Sequence, residues 1–300
     1  MVNLPFGVDI DNLIDDLRIL SWEASDILLY YHKILKDAEN KNDFISNNKK
    51  EDPVTMADLK VNDLIIRRIN EKYKEINWKI LSEENVKNES NNLLSNSEWL
   101  WILDPLDGTK DFIQGTQDYA MHLALNHQGS PFLGVVLIPS RDELWFSNGD
   151  ISWCESKNRL EKKPNLSLCS SLSGMTLVRS KNHSNKILKD LIEKINFENT
   201  IIMGSIGCKI SSILRGESDI YISLSLPGKS SPKDWDFAAP EAILKSAGGE
   251  ITNLENEPLS YKKNNFEQGG VIVASSNKQN HKEICLQIKE IIKKNNLYPL

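Results

Sequence analysis

The chain has 300 residues, of which 40% are hydrophobic and 26% are charged, and its mean hydropathy is -0.39. These values predict a soluble globular protein with one extended core or two adjoining cores, and they argue against disorder, a collagen helix or membrane spans. The formal net charge of -6 disfavours a nucleic-acid partner, although it is compatible with one small anionic ligand held by metal ions.

The compartment is indicated by the amino terminus and the cysteines. No segment approaches the roughly 18 uninterrupted apolar residues of a membrane span, and the first residues are acidic where a secretory signal would be basic. The sequence has four cysteines, and no two of them form a CxxC pair, so neither a zinc site nor a disulfide framework is expected. They are Cys154, Cys169, Cys208 and Cys285. We expect a cytoplasmic protein without membrane insertion.

The first half of the chain reads as helices packed on a sheet. Apolar residues at helical spacing predict a long amphipathic helix over 10–31 and a second helix over 54–73, joined by a polar loop at 38–52. Short apolar runs at 78–81 and 99–103 predict buried strands that both end in carboxylates. Three β-prone segments joined by turns predict an antiparallel meander. They are 119–126, 133–139 and 143–147.

The second half of the chain has a different order of predicted elements. The composition becomes polar between 147 and 173, which indicates a domain boundary there. We therefore predict an N-terminal domain at 1–160 and a C-terminal domain at 161–300. Strand-like and helix-like segments then alternate as in α/β units. They are 175–178, 185–195, 200–203, 207–214, 219–223, 237–247, 270–274 and 278–293. The predicted fold class is α/β, with an α+β first half.

The string DPLDGT carries the clearest chemistry. Asp104 and Asp107 follow a buried strand, and a carboxylate removed from water needs a partner, such as a hard divalent cation. The Leu106 carbonyl can face the same point. Gly108 lets the backbone approach a ligand, and Thr109 can cap a turn whose N–H groups would receive a phosphate. The alternative is that Asp-Pro and Asp-Gly are ordinary turn signals.

Three further features bear on this hypothesis. Glu83 and Glu84 follow the other predicted strand, which places one of them at the same sheet edge. Asp236 opens a predicted helix, where it could serve only as an N-cap, with a proline in the first turn. Thr55 and Asp58 have the spacing of a capping box, which is the ordinary interpretation of that pair.

Taken in order, VTMAD, SEE, DPLDGTKDF and WDFAAPEA resemble the inositol monophosphatase superfamily of Mg²⁺-dependent, lithium-sensitive phosphatases. The resemblance implies a layered αβαβα fold, found as a monomer or a homodimer. It implies that Asp58 and Thr109 orient and deprotonate the attacking water. It also implies two or three Mg²⁺ ions, for which Mn²⁺ can substitute. The implied metal ligands are Glu83, Asp104, the Leu106 carbonyl, Asp107 and Asp236.

Within the superfamily the sequence is most similar to the bisphosphate nucleotidases. Lys110 in DPLDGTKDF and the segment from Gly204 to Lys209 resemble that branch, and Lys209 would hold a second phosphate. The ordinary interpretation of Lys209 is a solvated helix lysine. The segment from Arg179 to Ser184 resembles a further element of the nucleotidases, although Lys181 and Asn182 interrupt the match. The implied substrate-binding residues are Gly108, Thr109, Ser205, Lys209 and Asp236.

The predicted function is removal of the 3′-phosphate from adenosine 3′,5′-bisphosphate, with its sulfated relative PAPS as a second substrate, in nucleotide recycling and sulfur metabolism. The alternatives are an inositol monophosphatase, a fructose 1,6-bisphosphatase and a catalytically silent nucleotide sensor, although every acid the resemblance requires is present. His122 is predicted to be a core or surface residue. Five residues receive no role: Lys49, Lys50, His183, Lys229 and Lys233.

Overall fold

The computed structural model describes residues 4–38, 44–47, 54–86, 97–182, 185–263 and 265–299. In these residues the helices are α1 (Ile10–Asp37), α2 (Met56–Lys72), α3 (Thr109–Gln114), α4 (Lys186–Ile195), α5 (Ile206–Leu214), α6 (Asp234–Ala247) and α7 (Lys278–Lys294). The strands are β1 (Ile45–Asn47), β2 (Val54–Thr55), β3 (Lys79–Ser82), β4 (Trp99–Asp107), β5 (Ala120–His127), β6 (Ser130–Ile138), β7 (Glu143–Ser147), β8 (Ser152–Glu155), β9 (Glu161–Lys162), β10 (Thr176–Ser180), β11 (Asn199–Met203), β12 (Ile220–Ser225), β13 (Glu250–Asn253) and β14 (Gly270–Ser275).

Two sheets organise the molecule. The first has seven strands in chain order from β3 to β9, and only its first pair, β3 and β4, is parallel. The predicted antiparallel meander is therefore confirmed. The second sheet has the order β11-β10-β12-β14-β13, in which β10 is parallel to both of its neighbours and the other two pairs are antiparallel.

Helices fill the spaces around and between the sheets. Helices α1 and α2 pack on one face of the seven-stranded sheet, α5 and α6 lie between the two sheets, and α4 and α7 cover the outer face of the second sheet. This αβαβα layering confirms the predicted fold. The apolar cluster between the sheets draws on both halves of the chain, for example on Ile102, Ile213 and Ile272. The division into domains 1–160 and 161–300 stays a prediction.

The structure differs from the predicted elements at short segments. Helix α3 and strands β1, β2, β8, β9 and β13 were not predicted, because two to six residues are too few to show a periodicity. Strand β2 lies where the second helix was expected to begin, and that helix begins at Met56. Strand β4, predicted over 99–103, continues through DPLD to Asp107, where the alternative interpretation was an ordinary turn. A bulge opens its pairing with β5 between Asp104 and Asp107, so Pro105, which has no N–H to donate, breaks no ladder bond there.

The described residues bear on the expectations about membrane spans and cysteines. None of their helices combines the length and the apolar character that crossing a membrane requires. All four cysteines are free thiols, of which Cys169 is partly exposed and the other three are buried.

Candidate active site

Three carboxylates meet where β4 ends and α6 begins. Asp104, Asp107 and Asp236 each offer one oxygen, and these three oxygens lie within 4.8 Å of one another. The bulge in β4 turns two acids of one strand toward the same point. The Leu106 N–H donates to Asp104 Oδ1 at 3.0 Å, which fixes the turn of the chain between them. The structure thus brings together three of the acids that the resemblance implied as metal ligands, and their role as ligands stays a prediction.

Asp236 reaches the site from the first turn of α6. The helix begins at Asp234 with Lys233 as its N-cap, and Asp236 Oδ2 accepts the Lys233 N–H at 2.5 Å. The interpretation of Asp236 as the N-cap is wrong, because it is the third residue of the helix. The proline expected in the first turn, Pro240, lies in the helix interior. Because proline has no N–H, the Asp236 carbonyl lacks its usual partner four residues on.

Glu83 approaches the same point from β3. Its N–H donates to the Leu103 carbonyl of β4 at 3.2 Å, as the parallel pairing of the two strands requires. The Glu83 carboxylate helps to raise the pKa of Asp104, whereas Glu84 acts on Asp58. Both glutamates are half-buried. The predicted sheet edge is thus shared by Glu83 and Asp104.

The electrostatics of this cluster favour a cation. Asp104 is 1% exposed, and burial raises its pKa well above the usual range, with repulsion from Glu83, Asp107 and Asp236 adding to the effect. Burial and the carboxylate of Asp107 likewise raise the pKa of Asp236. Crowded carboxylates of this kind could hold a divalent metal, and an all-oxygen ligand set suits Mg²⁺ or Mn²⁺ better than zinc.

Asp58 and Thr109 lie beside the cluster. Asp58 Oδ2 accepts the Thr55 N–H at 2.8 Å and the Thr55 hydroxyl at 2.5 Å, so the predicted capping box is confirmed. Thr109 Oγ1 lies 2.9 Å from the Leu106 carbonyl and 3.4 Å from Asp58 Oδ1. Burial raises the pKa of Asp58 to about 7, although its bonds from Thr55 oppose the shift. Its carboxylate thus titrates near neutral pH.

Gly108, next to Thr109, lies close to Ser205 of the second half of the chain. It is the N-cap of α3 with a φ of +89°, a left-handed conformation that favours glycine. The expectation that Thr109 caps this turn is wrong, because Thr109 is the first residue of the helix and its hydroxyl donates to the Leu106 carbonyl. A Cβ on Gly108 would lie 2.7 Å from the Asp118 carbonyl and 3.3 Å from Ser205 Cβ. The close approach that the glycine permits is therefore to the chain itself.

Ser205 and the N-terminus of α5 hold Asp107. Asp107 Oδ2 accepts the Ser205 hydroxyl at 2.6 Å, the Ile206 N–H at 2.5 Å and the Gly207 N–H at 3.1 Å. Ser205 has a φ of +37°, a strained value for a residue with a side chain. A helix N-terminus favours an anion, and here that anion is a carboxylate from the other sheet.

Lys209 lies beneath the Gly204–Ser205 turn. It is only 2% exposed, so the interpretation as a solvated helix lysine is wrong. Its Nζ donates to the Gly204 carbonyl at 3.0 Å and lies 5.3 Å from the centre of the Tyr221 ring. Burial lowers the pKa of Lys209, and Asp107 and two other nearby carboxylates oppose the shift. The ammonium is thus held on the inner side of the turn.

Some residues around the site were not predicted from the sequence. Asp111 in α3 is 2% exposed and accepts bonds from Lys181 Nζ at 3.2 Å and Asn182 Nδ2 at 2.6 Å. These are the two residues that interrupt the nucleotidase-like element, and no local pattern indicates their partner. His122 is a core residue as predicted, but its Nε2 lies 3.3 Å from Asp107 Oδ2.

The residues left without a role are placed as follows. Lys229 is exposed, and Lys233 forms an ion pair with Glu267 in which Nζ and Oε1 are 2.9 Å apart. Lys49, Lys50 and His183 lie outside the described residues.

Comparisons with known proteins identify relatives of this chain. A 3′(2′),5′-bisphosphate nucleotidase CysQ of Buchnera aphidicola is 33% identical over 234 residues, which cover 77% of this chain and 82% of that protein. The CysQ of Salmonella typhimurium is 24% identical over 255 residues, which cover 83% and 94% respectively.

Solved structures show the same fold. A Thermotoga maritima IMPase superposes with a TM-score of 0.73 at 20% identity, covering 94% of this chain and 99% of that one. An inositol monophosphatase from Anabaena has a TM-score of 0.70 at 22% identity, covering 94% and 97%. The model of the inositol monophosphatase family matches residues 11–293, which include all the carboxylates described above. The chain is therefore a phosphatase that belongs to the inositol monophosphatase family.

Proposed function

We propose that this chain is a Mg²⁺-dependent phosphomonoesterase that removes the 3′-phosphate from adenosine 3′,5′-bisphosphate and leaves AMP. The observation that carries the proposal is the convergence of Asp104, Asp107 and Asp236 at one point, beside the Asp58–Thr109 pair. The names of the CysQ relatives support the choice of substrate. PAPS, which carries the same 3′-phosphate, is the second candidate substrate.

The metal ligands in this proposal are Glu83, Asp104, the Leu106 carbonyl, Asp107 and Asp236. They fit two or three Mg²⁺ ions, or Mn²⁺ in their place, because their buried carboxylates repel one another and include no nitrogen or sulfur ligand. When bound, such ions offset the charge of the phosphoryl oxygens and lower the pKa of water. The Leu106 carbonyl has two lone pairs, so it can accept from Thr109 and still face an ion.

Thr109 and Asp58 would orient the attacking water. A hydroxyl has one proton, and the 2.9 Å contact assigns the Thr109 proton to the Leu106 carbonyl. The free lone pairs of Thr109 Oγ1 can then accept one hydrogen of a water, and Asp58 Oδ1 can accept the other. That arrangement turns a lone pair of the water toward the phosphorus. A pKa of about 7 suits Asp58 to take the proton near neutral pH.

The remaining proposed contacts bind the substrate. Gly108, Thr109, Ser205 and Asp236 surround the position of the scissile phosphate, and Lys209 supplies a fixed positive charge for the distal 5′-phosphate. Because the ammonium is buried behind the Gly204–Ser205 turn, water screens its charge weakly. Attraction between this buried charge and the distal phosphate would favour the bisphosphate, and a tenfold preference in kcat/KM corresponds to about 1.4 kcal/mol.

The test is phosphate release across a panel of adenosine 3′,5′-bisphosphate, PAPS, 3′-AMP, inositol 1-phosphate and fructose 1,6-bisphosphate. We expect the bisphosphate to be cleaved fastest with Mg²⁺, and turnover to stop in EDTA and to fall with Li⁺. Undiminished turnover in EDTA would refute the metal mechanism. Faster turnover of inositol 1-phosphate or fructose 1,6-bisphosphate would refute the substrate assignment.

A Lys209→Met variant tests the discriminating residue, since it keeps the length of the side chain and removes the charge. The ratio of bisphosphate to inositol 1-phosphate turnover should fall about tenfold. This ratio does not depend on the folded fraction of the variant, because both substrates meet the same protein. Equal losses on both substrates would show that Lys209 does not read the second phosphate.

A further inference from the structure

His122 occupies a central position among the carboxylates. It is 1% exposed and lies on β5, where its partner across the strand pair is Asp104. Its Nε2 is 3.3 Å from Asp107 Oδ2, and its Nδ1 is 3.3 Å from the carbonyl of Trp235, the residue before Asp236. One imidazole ring thus adjoins the three chain segments that carry Asp104, Asp107 and Asp236.

The contacts of Asp107 are divided unequally between its two oxygens. Within the described part of the chain, every hydrogen bond to this carboxylate reaches Oδ2, and His122 Nε2 faces the same oxygen. The carboxylate is therefore held with Oδ2 toward the N-terminus of α5. This leaves Oδ1 as the oxygen that is available to a ligand.

Gly207 makes room for the imidazole. A Cβ at this position would lie 2.2 Å from His122 Nε2 and 2.9 Å from Val136 Cγ1, so no other residue fits while the ring stays in place. Glycine within a helix costs about 0.5–1 kcal/mol relative to alanine. The ring occupies the space that a side chain of α5 would fill, and it is wedged between β5 and the starts of α5 and α6.

The other ring nitrogen fixes the orientation of the wedge. A carbonyl oxygen can only accept, so the contact with the Trp235 carbonyl places a proton on Nδ1. The ring plane is thereby set from α6, while its Nε2 edge meets Asp107. Movement of the first turn of α6, which carries Asp236, would be transmitted through the ring to Asp107.

We propose that His122 is a positioning residue for the metal site: its ring, hydrogen-bonded through Nδ1 to the Trp235 carbonyl and packed against Gly207, sets the spacing between Asp107 and Asp236. This inference rests on the proposed function, because it assumes that these two carboxylates hold Mg²⁺. Groups that orient metal ligands typically change metal affinity about 10- to 100-fold when they are removed.

The experiment measures metal binding directly, by calorimetric titration of the full chain with Mg²⁺ alone and Mn²⁺ alone, without substrate. His122→Leu should weaken the affinity about 10- to 100-fold. His122→Asn, whose Nδ2 can donate to the Trp235 carbonyl as the imidazole Nδ1 does, should recover part of the loss. The matched control is His281→Leu, the same change at a buried histidine that contacts Ser275 and Thr252 in the second sheet. It should bind Mg²⁺ as the unaltered protein does.

A second variant keeps the proposal testable if His122→Leu does not fold. Gly207→Ala retains the imidazole but displaces it, and should also weaken Mg²⁺ binding. Unaltered Mg²⁺ affinity in His122→Leu, or in Gly207→Ala where the former does not fold, would overturn the proposal, and so would an equal loss in His281→Leu. An unaltered protein that binds neither Mg²⁺ nor Mn²⁺ would instead refute the proposed function and, with it, the basis of the inference.

Discussion

Replacing Asp58 by Asn is expected to remove activity and to stabilise the metal-free protein. Asp58 is 2% exposed, and burial raises its pKa from 3.8 to about 7. A folded state that binds the proton more tightly than the unfolded chain loses stability as the pH rises from 3.8 through 7. About 3 pKa units correspond to about 4 kcal/mol at pH 8. A neutral Asn can still accept the Thr55 N–H, and loss of the charged bonds costs about 1 kcal/mol.

The net expectation for Asp58→Asn in EDTA at pH 8 is a gain of about 3 kcal/mol, or roughly 5 °C in Tm. At pH 5, which is about 1.2 units above the pKa of the unfolded chain, the gain should shrink to less than about 1 kcal/mol. Thermal unfolding followed by far-UV circular dichroism measures both values. With Mg²⁺ present, kcat should fall by roughly 10² to 10⁴, because the proton acceptor is lost.

Asp63→Asn is the matched control, because Asp63 is exposed on the same helix. It should change neither the Tm at the two pH values nor kcat. Two results would refute the reasoning about Asp58: a Tm difference that is the same at pH 5 and pH 8, or a variant that retains kcat within a few-fold.

Three other predictions follow from residues described above. Thr109→Ala should lower kcat more than it raises KM, because it disorients the water in the transition state, and Thr109→Ser should restore kcat; an effect on KM alone would assign Thr109 to binding only. Gly108→Ala should lower the urea midpoint more than Gly115→Ala, since both have a positive φ but only the first would meet the Asp118 carbonyl; equal midpoints would contradict this. Burial lowers the pKa of His281 to about 4, so about 3 kcal/mol of stability should be lost as the pH falls from 6.5 to 4, and His281→Leu should flatten this slope in thermal unfolding.

Much of the fold is predictable from local patterns. The apolar face of α1 and the uniformly apolar run that begins β4 have periodicities that only one kind of element satisfies. The carboxylates that follow β3 and β4 were expected at one edge, since parallel strands end on the same side, and Glu83 and Asp104 lie there.

The remaining features depend on contacts between distant segments. Lys209 occupies a position on α5 that either a solvated or a buried lysine could take, and only the packing of the second sheet decides between them. Two partners of Asp111, Lys181 and Asn182, are 70 and 71 residues away in sequence. His122 is an ordinary strand residue by pattern, and its meeting with Asp107 requires α5 and α6 to be in place. No sequence pattern within a single element indicates contacts between segments so far apart in the chain.

The hydrogen bonds from Ser205 and the start of α5 to Asp107 bear on when the candidate site forms during synthesis of the chain. A ribosome delivers Asp58, Glu83, Asp104 and Asp107 more than ninety residues before the serine hydroxyl and helix amides that hold Asp107, and Asp236 follows later still. N-terminal segments commonly begin to fold first during synthesis. The nascent first half therefore carries its carboxylates without the groups that hold Asp107 and without Asp236. We expect phosphatase activity to appear only when the two sheets have docked, so its recovery during refolding should report the rate of that docking step.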